Sequence, residues 1–513
     1  MDVRTLMRRA ARFNANREAV VHGARRLTFA EAWQRGCRMA NALLALGLEP
    51  QDRVGVLEDN SIEAADFYLG SAIANLVRVP LYPRNGREAH EHMLGHTGCR
   101  ALVVSANHAD EVTGLRESLP DLEHVIVRGA GYEDWLAGHP DSDPDPAIAE
   151  DDWYIIRHTG GTTGRSKGVA YTHRSWLAAG RDWFYLYPPV EPGDRCLHLG
   201  PISHGSGYLF TPIWLGGGSN VMLDHFHPQE TVEVMERERI AYMFMVPTML
   251  NAVNREPGVR QRDWSALKCL LISAAPCAED TARTAYEIFG DALYTGYGQT
   301  EVLPVAIMGP KQWFASGLEG AHPIGAAGMV LPFAEIEIWD DDNKPLPIGE
   351  VGQIVARTDG QMSGFWNDPE ATAERMVDGW VLTGDVGRLD EHGYLYMVDR
   401  ADDMIISGGF NIWPMELENA LAEHPAVIES AVFGVPNERW GESPLAVVVT
   451  EPGAAVSAEE LIALCAERLG SYKKPSEVVF RHEALPKSPV GKIKRKDLRE
   501  PYWAGHSRRV GGS

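Results

Sequence analysis

WYIIRHTGGTTGRSKGV, residues 153–169, sets a short apolar run against a loop of glycine, threonine and lysine, and the rest of the chain is read outward from that junction. WYII reads as a buried strand. The glycines after it let backbone N–H groups turn toward one point, while Thr159, Thr162 and Thr163 add hydroxyls and Lys167 an ammonium. Together they form a donor set for phosphate oxygens. A Walker A loop is excluded, because Lys167 follows Ser166 and precedes Gly168, whereas that motif needs Gly-Lys followed by Ser or Thr.

Upstream, residues 52–130 alternate apolar strands with helices: VGVLE, SIEAADFYLGSAIANLV, RVPLYP, a helix through EHMLGH, then ALVVS and HVIV. That alternation predicts a largely parallel α/β sheet. The Pro- and Asp-rich stretch 137–152 predicts an exposed loop that separates two subdomains. Alternation resumes from 153 to about 330, and from 333 short β runs with turn residues predict a smaller β-rich unit at roughly 330–400. Beyond Asp402 the pattern strand, MELENALAEH helix, strand, AEELIALCAERL helix predicts a separate small α+β domain.

With 513 residues the chain has room for several folding units, and its net charge of -23 repels phosphate backbones and anionic lipid, so nucleic acid is excluded as a partner. The six cysteines form no CxxC pair, which predicts buried free thiols and a cytoplasmic location. No run approaches the ~20 apolar residues of a membrane span. MDVRTLMRRAARF lacks a signal peptide's apolar core and reads as a first packed helix. Residues 470–513 carry 11 basic against four acidic side chains, either a solubilising tail or a counter-charge for polyanionic small molecules.

Thr159 to Gly168 resembles the TSGTTGxPKG signature of the adenylate-forming superfamily, which includes AMP-binding acyl- and aryl-CoA synthetases, adenylation domains of peptide synthetases and luciferases. Further motifs follow in that family's order: PISHGSG (201–207), SAAPC (273–277), YGQTE (297–301), GWVLTGD (379–385), DRADDMIISGGFNIWPMELE (399–418) and PKSPVGKIKR (486–495). The resemblance spans essentially the whole chain. It implies an α/β fold with a large N-terminal AMP-binding domain over 1–401, made of parallel α/β subdomains plus the β-rich unit, and a mobile α+β C-terminal domain over 402–513, hinged at Asp402.

The implied activity is AMP-forming ligation of a carboxylic acid to coenzyme A through an acyl-adenylate, with ATP, Mg2+ and coenzyme A as cofactors. By the same resemblance Thr159, Thr162, Thr163, Gly164 and Lys167 hold the β- and γ-phosphates, and Glu301 with Thr163 serves Mg2+. Thr300 bonds the α-phosphate, and Ala274, Ala275, Pro276 and Tyr297 flank adenine. Asp385 and Arg400 hold the ribose hydroxyls, and Lys492 bridges the substrate carboxylate and α-phosphate. Read by themselves, Asp385 and Arg400 could be surface charges and Lys492 a tail lysine. Gly408 and Gly409 would line the pantetheine tunnel or form a β-turn, with Trp440, Lys473 and Lys474 meeting the CoA nucleotide. The resemblance also sets His204 with Lys492, Glu301 and Thr300 among the catalytic residues, at the junction of acyl pocket and tunnel, while a lone histidine read by itself is more often a satisfied structural residue.

The residues expected near the acyl group, Trp183, Phe184, Gly205, Ser206, Gly207, Ala274, Ala275, Gly296, Val302, Leu303 and Pro304, are apolar or small and point to a bulky hydrophobic acid, aromatic, polycyclic or fatty. Gly205 stands where amino-acid-activating relatives place an aspartate. The chain departs from the family pattern at Gly160, Ser166 and Ala274, the last where glycine is common. LGGGS (215–219) reads as a turn, and His92 with His96 as a surface pair of metal-ligand spacing lacking a third ligand. A homodimer is compatible with the resemblance. Two competing functions stay open: a stand-alone adenylating enzyme that loads a carrier protein, and a non-catalytic nucleotide-binding relative.

Overall fold

The computed structural model describes residues 1–159, 166–202, 204–400, 403–407, 410–437, 439–451, 453–487 and 493–504. Two large sheets dominate it. In the seven-stranded sheet, Trp153–Thr159, Val77–Pro80, Arg53–Leu57, Ala101–Ser105 and His124–Arg128 run parallel, in that spatial order. Lys167–Thr172 and then Gly364–Phe365 add antiparallel strands at the other edge. The five parallel strands are the predicted apolar runs, short and β-branched because helices cover them.

The second sheet has 14 strands. Its parallel part runs Glu18–His22, Ser219–Met222, Arg195–His198, Tyr242–Met245, Cys269–Ile272 and Leu293–Gln299. Antiparallel strands then carry it outward through Val302–Met308, Gly328–Val330, Tyr394–Arg400, Trp380–Leu389, Gly352–Thr358 and Ala334–Trp339. The β-rich stretch predicted as a unit of its own is therefore the continuation of this sheet. Turn chemistry showed where its strands end, but the pairing of Gly328–Val330 with Tyr394–Arg400 across more than sixty residues left no local mark.

The helix Ile62–Ile73 is buried along all but one residue and packs against strands of both large sheets, which is why SIEAADFYLGSAI lacks a polar face. It meets the helix Phe29–Ala45 at two glycines: a Cβ on Gly36 would lie 2.7 Å from Leu69 Cβ, and one on Gly70 2.5 Å from Met39 Cγ. Glycine there lets the two backbones close on each other. Local signals fix the helix starts. Thr28 and Glu31 form a reciprocal capping box, and Asp2 accepts the Thr5 N–H at 2.7 Å at the head of the predicted first helix.

A third, five-stranded sheet belongs to the C-terminal part, with the helices Pro414–Ala422 and Ala458–Leu469 over a separate core that includes Leu417, Leu421, Leu461 and Cys465. All six cysteines are free thiols, five of them buried. Among the described residues no helix is long and apolar enough to cross a membrane. LGGGS is a turn, with Gly217 at φ +78° between the helix Gly207–Leu215 and the strand Ser219–Met222.

Candidate functional site

The site assembles where strands of the two large sheets end. Thr159 and Lys167 are paired residues of the antiparallel strands Trp153–Thr159 and Lys167–Thr172, so they form the neck of the Gly/Thr loop. Gly168 holds the neck tight: its carbonyl accepts the Trp366 N–H at 2.7 Å, and a Cβ there would lie 2.8 Å from Ile156 Cγ2. The Lys167 ammonium stands 5.3 Å from the centre of the Phe365 ring. Thr162, Thr163 and Gly164, with the departure at Gly160, lie outside the described residues, as do Asp402, Gly408, Gly409, Lys492 and the Arg400 side chain.

Thr300 and Glu301 form the two-residue link between Leu293–Gln299 and Val302–Met308, closed by the Gln299–Val302 pair. The link is pinned on both sides. Tyr171 Oη donates to the Thr300 carbonyl at 2.6 Å, and the Met362 N–H donates to the Glu301 carbonyl at 2.8 Å. The Glu301 side chain is 10% exposed, and its Oε1 lies 3.8 Å from Arg375 Nη2.

Asp385 is 5% exposed and faces the same strand end. Its Oδ2 accepts from Tyr297 Oη at 2.7 Å and from Gln299 Nε2 at 2.6 Å. Arg375 closes the ring of contacts, donating through Nη2 to Gln299 Oε1 at 3.0 Å and to the Thr383 carbonyl at 2.8 Å. Tyr297, Gln299, Glu301, Arg375 and Asp385 thus form one connected polar cluster. Asp385 is also the register partner of Arg400 across adjacent strands, which sets those two backbones side by side.

Sequence reading missed Gln299 and Arg375. Arg375 ends the helix Pro369–Arg375 between two quoted motifs, and neither period nor spacing distinguishes it from a surface arginine. Arg157 was passed over as well. It lies in the apolar strand run, is 1% exposed, and donates through Nη2 to His204 Nδ1 at 3.2 Å.

Ala274 adopts φ +74°, the left-handed region that costs a non-glycine residue about 1–2 kcal/mol, which explains why glycine would suit this position. Its loop is tied down by Ser273 Oγ, which donates to the Gly296 carbonyl at 2.6 Å, while Ala275 and Pro276 stand exposed. A Cβ on Gly296 would lie 3.2 Å from the Ala306 carbonyl and from Ile307 Cγ1 and 3.7 Å from Trp183 Cζ3, and one on Gly205 3.3 Å from Phe244 Cε1. Trp183, Val302 and Leu303 are buried and Phe184 is half-buried.

Gly207 and Ser206 have other duties. A Cβ on Gly207 would clash with the Ile202 carbonyl at 1.8 Å. The Ser206 hydroxyl is engaged with His198 Nδ1 at 2.8 Å, and His198 Nε2 meets Asn220 Oδ1 at 2.8 Å. Burial pushes the His198 imidazole down to about 4, so it is neutral.

The His92–His96 pair is not on the surface. Both rings are half-buried and reach His158, with His96 Nδ1 3.4 Å from His158 Nε2. Burial, with His96 and His92 alongside, holds His158 down at about 3. Among the described residues no group of three His, Cys, Asp or Glu is placed to hold a metal ion. The expectation of a surface pair fails because the helix Arg87–Thr97 packs beside the strand bearing His158; the expectation of no metal triad is unaffected.

In the C-terminal part, Trp440 is 46% exposed under Arg439, whose guanidinium lies 4.4 Å from its ring centre. Lys473 is engaged with Glu416 at 2.7 Å, and Lys474 is exposed. The structure does not gather these three into one contact.

Residues 6–366 match the family model described as AMP-binding enzyme, and 416–492 that of the AMP-binding enzyme C-terminal domain. A feruloyl-CoA synthase of an Amycolatopsis species is 36% identical over 96% of this chain and 98% of its own length. A fatty acid–acyl-carrier-protein ligase of Streptomyces coeruleorubidus is 33% identical over 96% of this chain and 95% of its own. The crystal structure of an anthranilate CoA ligase in complex with anthranoyl-AMP superposes with a TM-score of 0.90 at 25% identity, over 98% of this chain and 97% of that one.

Proposed function

The chain belongs to the AMP-binding enzyme family, and on that premise we propose that it is an AMP-forming carboxylate–CoA ligase for a bulky hydrophobic acid, aromatic rather than acetate-sized. The observation that carries the reading is the polar cluster at the strand ends. Two carboxylates with separate tasks, Glu301 and Asp385, are held apart yet linked through Gln299 and Arg375. That arrangement suits a nucleotide whose ribose and phosphates need different partners.

In the proposed first step a substrate carboxylate oxygen attacks the α-phosphorus of ATP and pyrophosphate leaves. Asp385, oriented by Tyr297 and Gln299, accepts the ribose hydroxyls, and Lys167 and the Gly/Thr loop take the charge of the departing phosphates. Lys492 bridges the carboxylate and α-phosphate. In the second step the CoA thiol attacks the acyl carbonyl, AMP leaves and the thiol proton passes to solvent. Asp402 is the proposed pivot that exchanges Lys492 for a route to CoA, with domains at 1–401 and 402–513.

Mg2+ fits Glu301. The group is a hard carboxylate next to Thr300, whose carbonyl is held by Tyr171 of the strand that begins at Lys167, and Arg375 stands at 3.8 Å, too far for a hydrogen bond, leaving lone pairs for a cation. Bound there, Mg2+ supplies charge neutralisation for the phosphates.

Trp183, Phe184, Val302 and Leu303 with the glycines at 205 and 296 favour a flat apolar acid, and the feruloyl- and anthranilate-activating relatives favour an aromatic one. The carrier-loading relative supports a second reading, transfer to a carrier protein. Both are tested by following AMP and pyrophosphate release with aryl, fatty and acetate substrates, with CoA or a carrier protein as acceptor, in wild type and Lys492→Ala. Faster turnover of acetate than of every aromatic acid overturns the substrate reading, and transfer to the carrier with none to CoA overturns the acceptor.

A further inference from the structure

Arg157 is a cation inside an apolar strand, and its surroundings define what it does. It lies two residues before the neck of the phosphate loop and is 1% exposed. Its guanidinium sits 4.2 Å from the centre of the Tyr208 ring and 5.9 Å from that of Trp176, and Nη2 reaches His204 Nδ1 at 3.2 Å. The Tyr82 ring also meets the His204 ring, with centres 4.9 Å apart and planes at 72°. Tyr82 in turn donates to the His158 carbonyl at 2.5 Å. The imidazole is therefore in contact with both a buried cation and a buried phenol.

A guanidinium has only donors and keeps its charge at any working pH. The nitrogen it approaches must offer a lone pair, so His204 Nδ1 is unprotonated and the ring proton resides on Nε2. Protonating Nδ1 would set an N–H against an N–H and a second positive charge beside a guanidinium that is itself buried. The charged and titratable groups around the ring agree with a neutral imidazole. Arg157 comes from the strand Trp153–Thr159, and Tyr82 follows the strand Val77–Pro80 with its hydroxyl pushed up to about 12 by burial, hence neutral. Tyr208, from the helix Gly207–Leu215, is also raised by burial. The Glu301 charge acts on both phenols from the adjacent hairpin.

We propose that Arg157 is a positioning residue that locks His204 in its neutral Nε2–H tautomer, so that the inner end of the acyl pocket offers the acid a hydrogen-bond donor instead of a cation. The consequence rests on the adenylation reading above. A neutral donor orients the substrate carboxylate without neutralising it. An imidazolium would pair with the carboxylate, tightening its binding while dulling the nucleophile, so uniform ground-state stabilisation would be gained at the expense of the step itself. The cation–π contacts with Tyr208 and Trp176 keep the guanidinium in place, which lets Arg157 act through His204 without touching substrate.

The test has a spectroscopic arm and a kinetic arm on the full-length protein. With 15N-labelled histidine, and the His204 signals assigned by their loss in His204→Gln, wild type is expected to show Nε2 protonated and Nδ1 bare across the range in which free imidazole titrates, about pH 5.5 to 7.5. In Arg157→Met the same signals should titrate, with a midpoint near the ordinary histidine value of about 6.5. Arg157→Lys, which keeps a cation, should restore the neutral form. In pyrophosphate release, Arg157→Met should acquire an acid limb, with kcat falling about tenfold per pH unit below that midpoint while KM for the acid falls too.

A wild-type His204 that titrates in this range, or carries its proton on Nδ1, overturns the proposal without any variant. So does an Arg157→Met protein whose His204 tautomer is unchanged. A packing role alone would lower stability and depress activity equally at every pH. If no acid is turned over at any pH, the adenylation reading fails while the spectroscopic arm still decides the tautomer.

Discussion

Arg495 begins the last helix, three residues after Lys492, and reaches back to the chain around the proposed pivot. Its Nε donates to Glu418 Oε1 at 2.8 Å and Nη2 to the other oxygen of that carboxylate, while Nη1 reaches Asp403 at 3.0 Å and Asp399 at 3.4 Å. The Asp399 side chain is 0% exposed. Replacing Arg495 with Met keeps the aliphatic stem and removes the charge from among three carboxylates. Removing one partner of a buried pair costs about 3–5 kcal/mol. The lower end applies, because Asp399 Oδ2 still accepts the Met415 N–H at 2.8 Å and the other two acids reach water. If that cost falls on the arrangement that presents Lys492, about 3 kcal/mol corresponds to a loss of about 100-fold in adenylation. The assay separates the half-reactions: pyrophosphate release without CoA, and CoA-dependent consumption of added acyl-adenylate. Adenylation should fall by that factor and thioester formation should change little. Equal loss in both half-reactions, or loss in neither, refutes the reasoning.

Ala274→Gly should raise the thermal midpoint, because it relieves a left-handed φ of +74° worth about 1 kcal/mol, partly offset by the freer unfolded chain; a lower midpoint contradicts this. Asp385→Asn keeps the geometry but loses the charge at the acceptor of Tyr297 and Gln299. It should reduce kcat/KM for ATP by about 10- to 100-fold, the weight of one charge-assisted hydrogen bond, measured at saturating acid. Burial pushes His158 down to about 3, and His173 and His198 to about 4, while the unfolded chain binds their protons near pH 6.5. Stability is thus fully present above pH 6.5 and drains away as the pH falls toward these values, by about 1.4 kcal/mol per pH unit for each histidine. Urea midpoints that stay level between neutrality and about pH 5 would refute it.

The five parallel strands of the seven-stranded sheet were legible because each is a short apolar run closed by turn residues, and parallel pairing under helices demands no more than that. Donor chemistry singled out the Gly/Thr loop and a motif singled out Glu301, and their roles toward phosphate and Mg2+ are proposals. What stayed hidden depends on distant partners. Arg375 gains its place only when the Pro369–Arg375 helix docks against the Leu293–Gln299 strand end. Arg157 follows the run WYII with nothing local to mark it, and only the fold brings His204 and Tyr208 onto it. His92 and His96 read as exposed because helical spacing gives a face without saying what covers it, and His158 lies 62 residues further on.

The most direct test of the ligase assignment is the product formed from ATP, CoA and an aromatic carboxylic acid, followed by mass spectrometry with nucleotide quantitation. Acyl-CoA, AMP and pyrophosphate should form in equal amounts, and all three should be lost in Lys492→Ala. Formation of ADP, or AMP release that is independent of the acid, would contradict it.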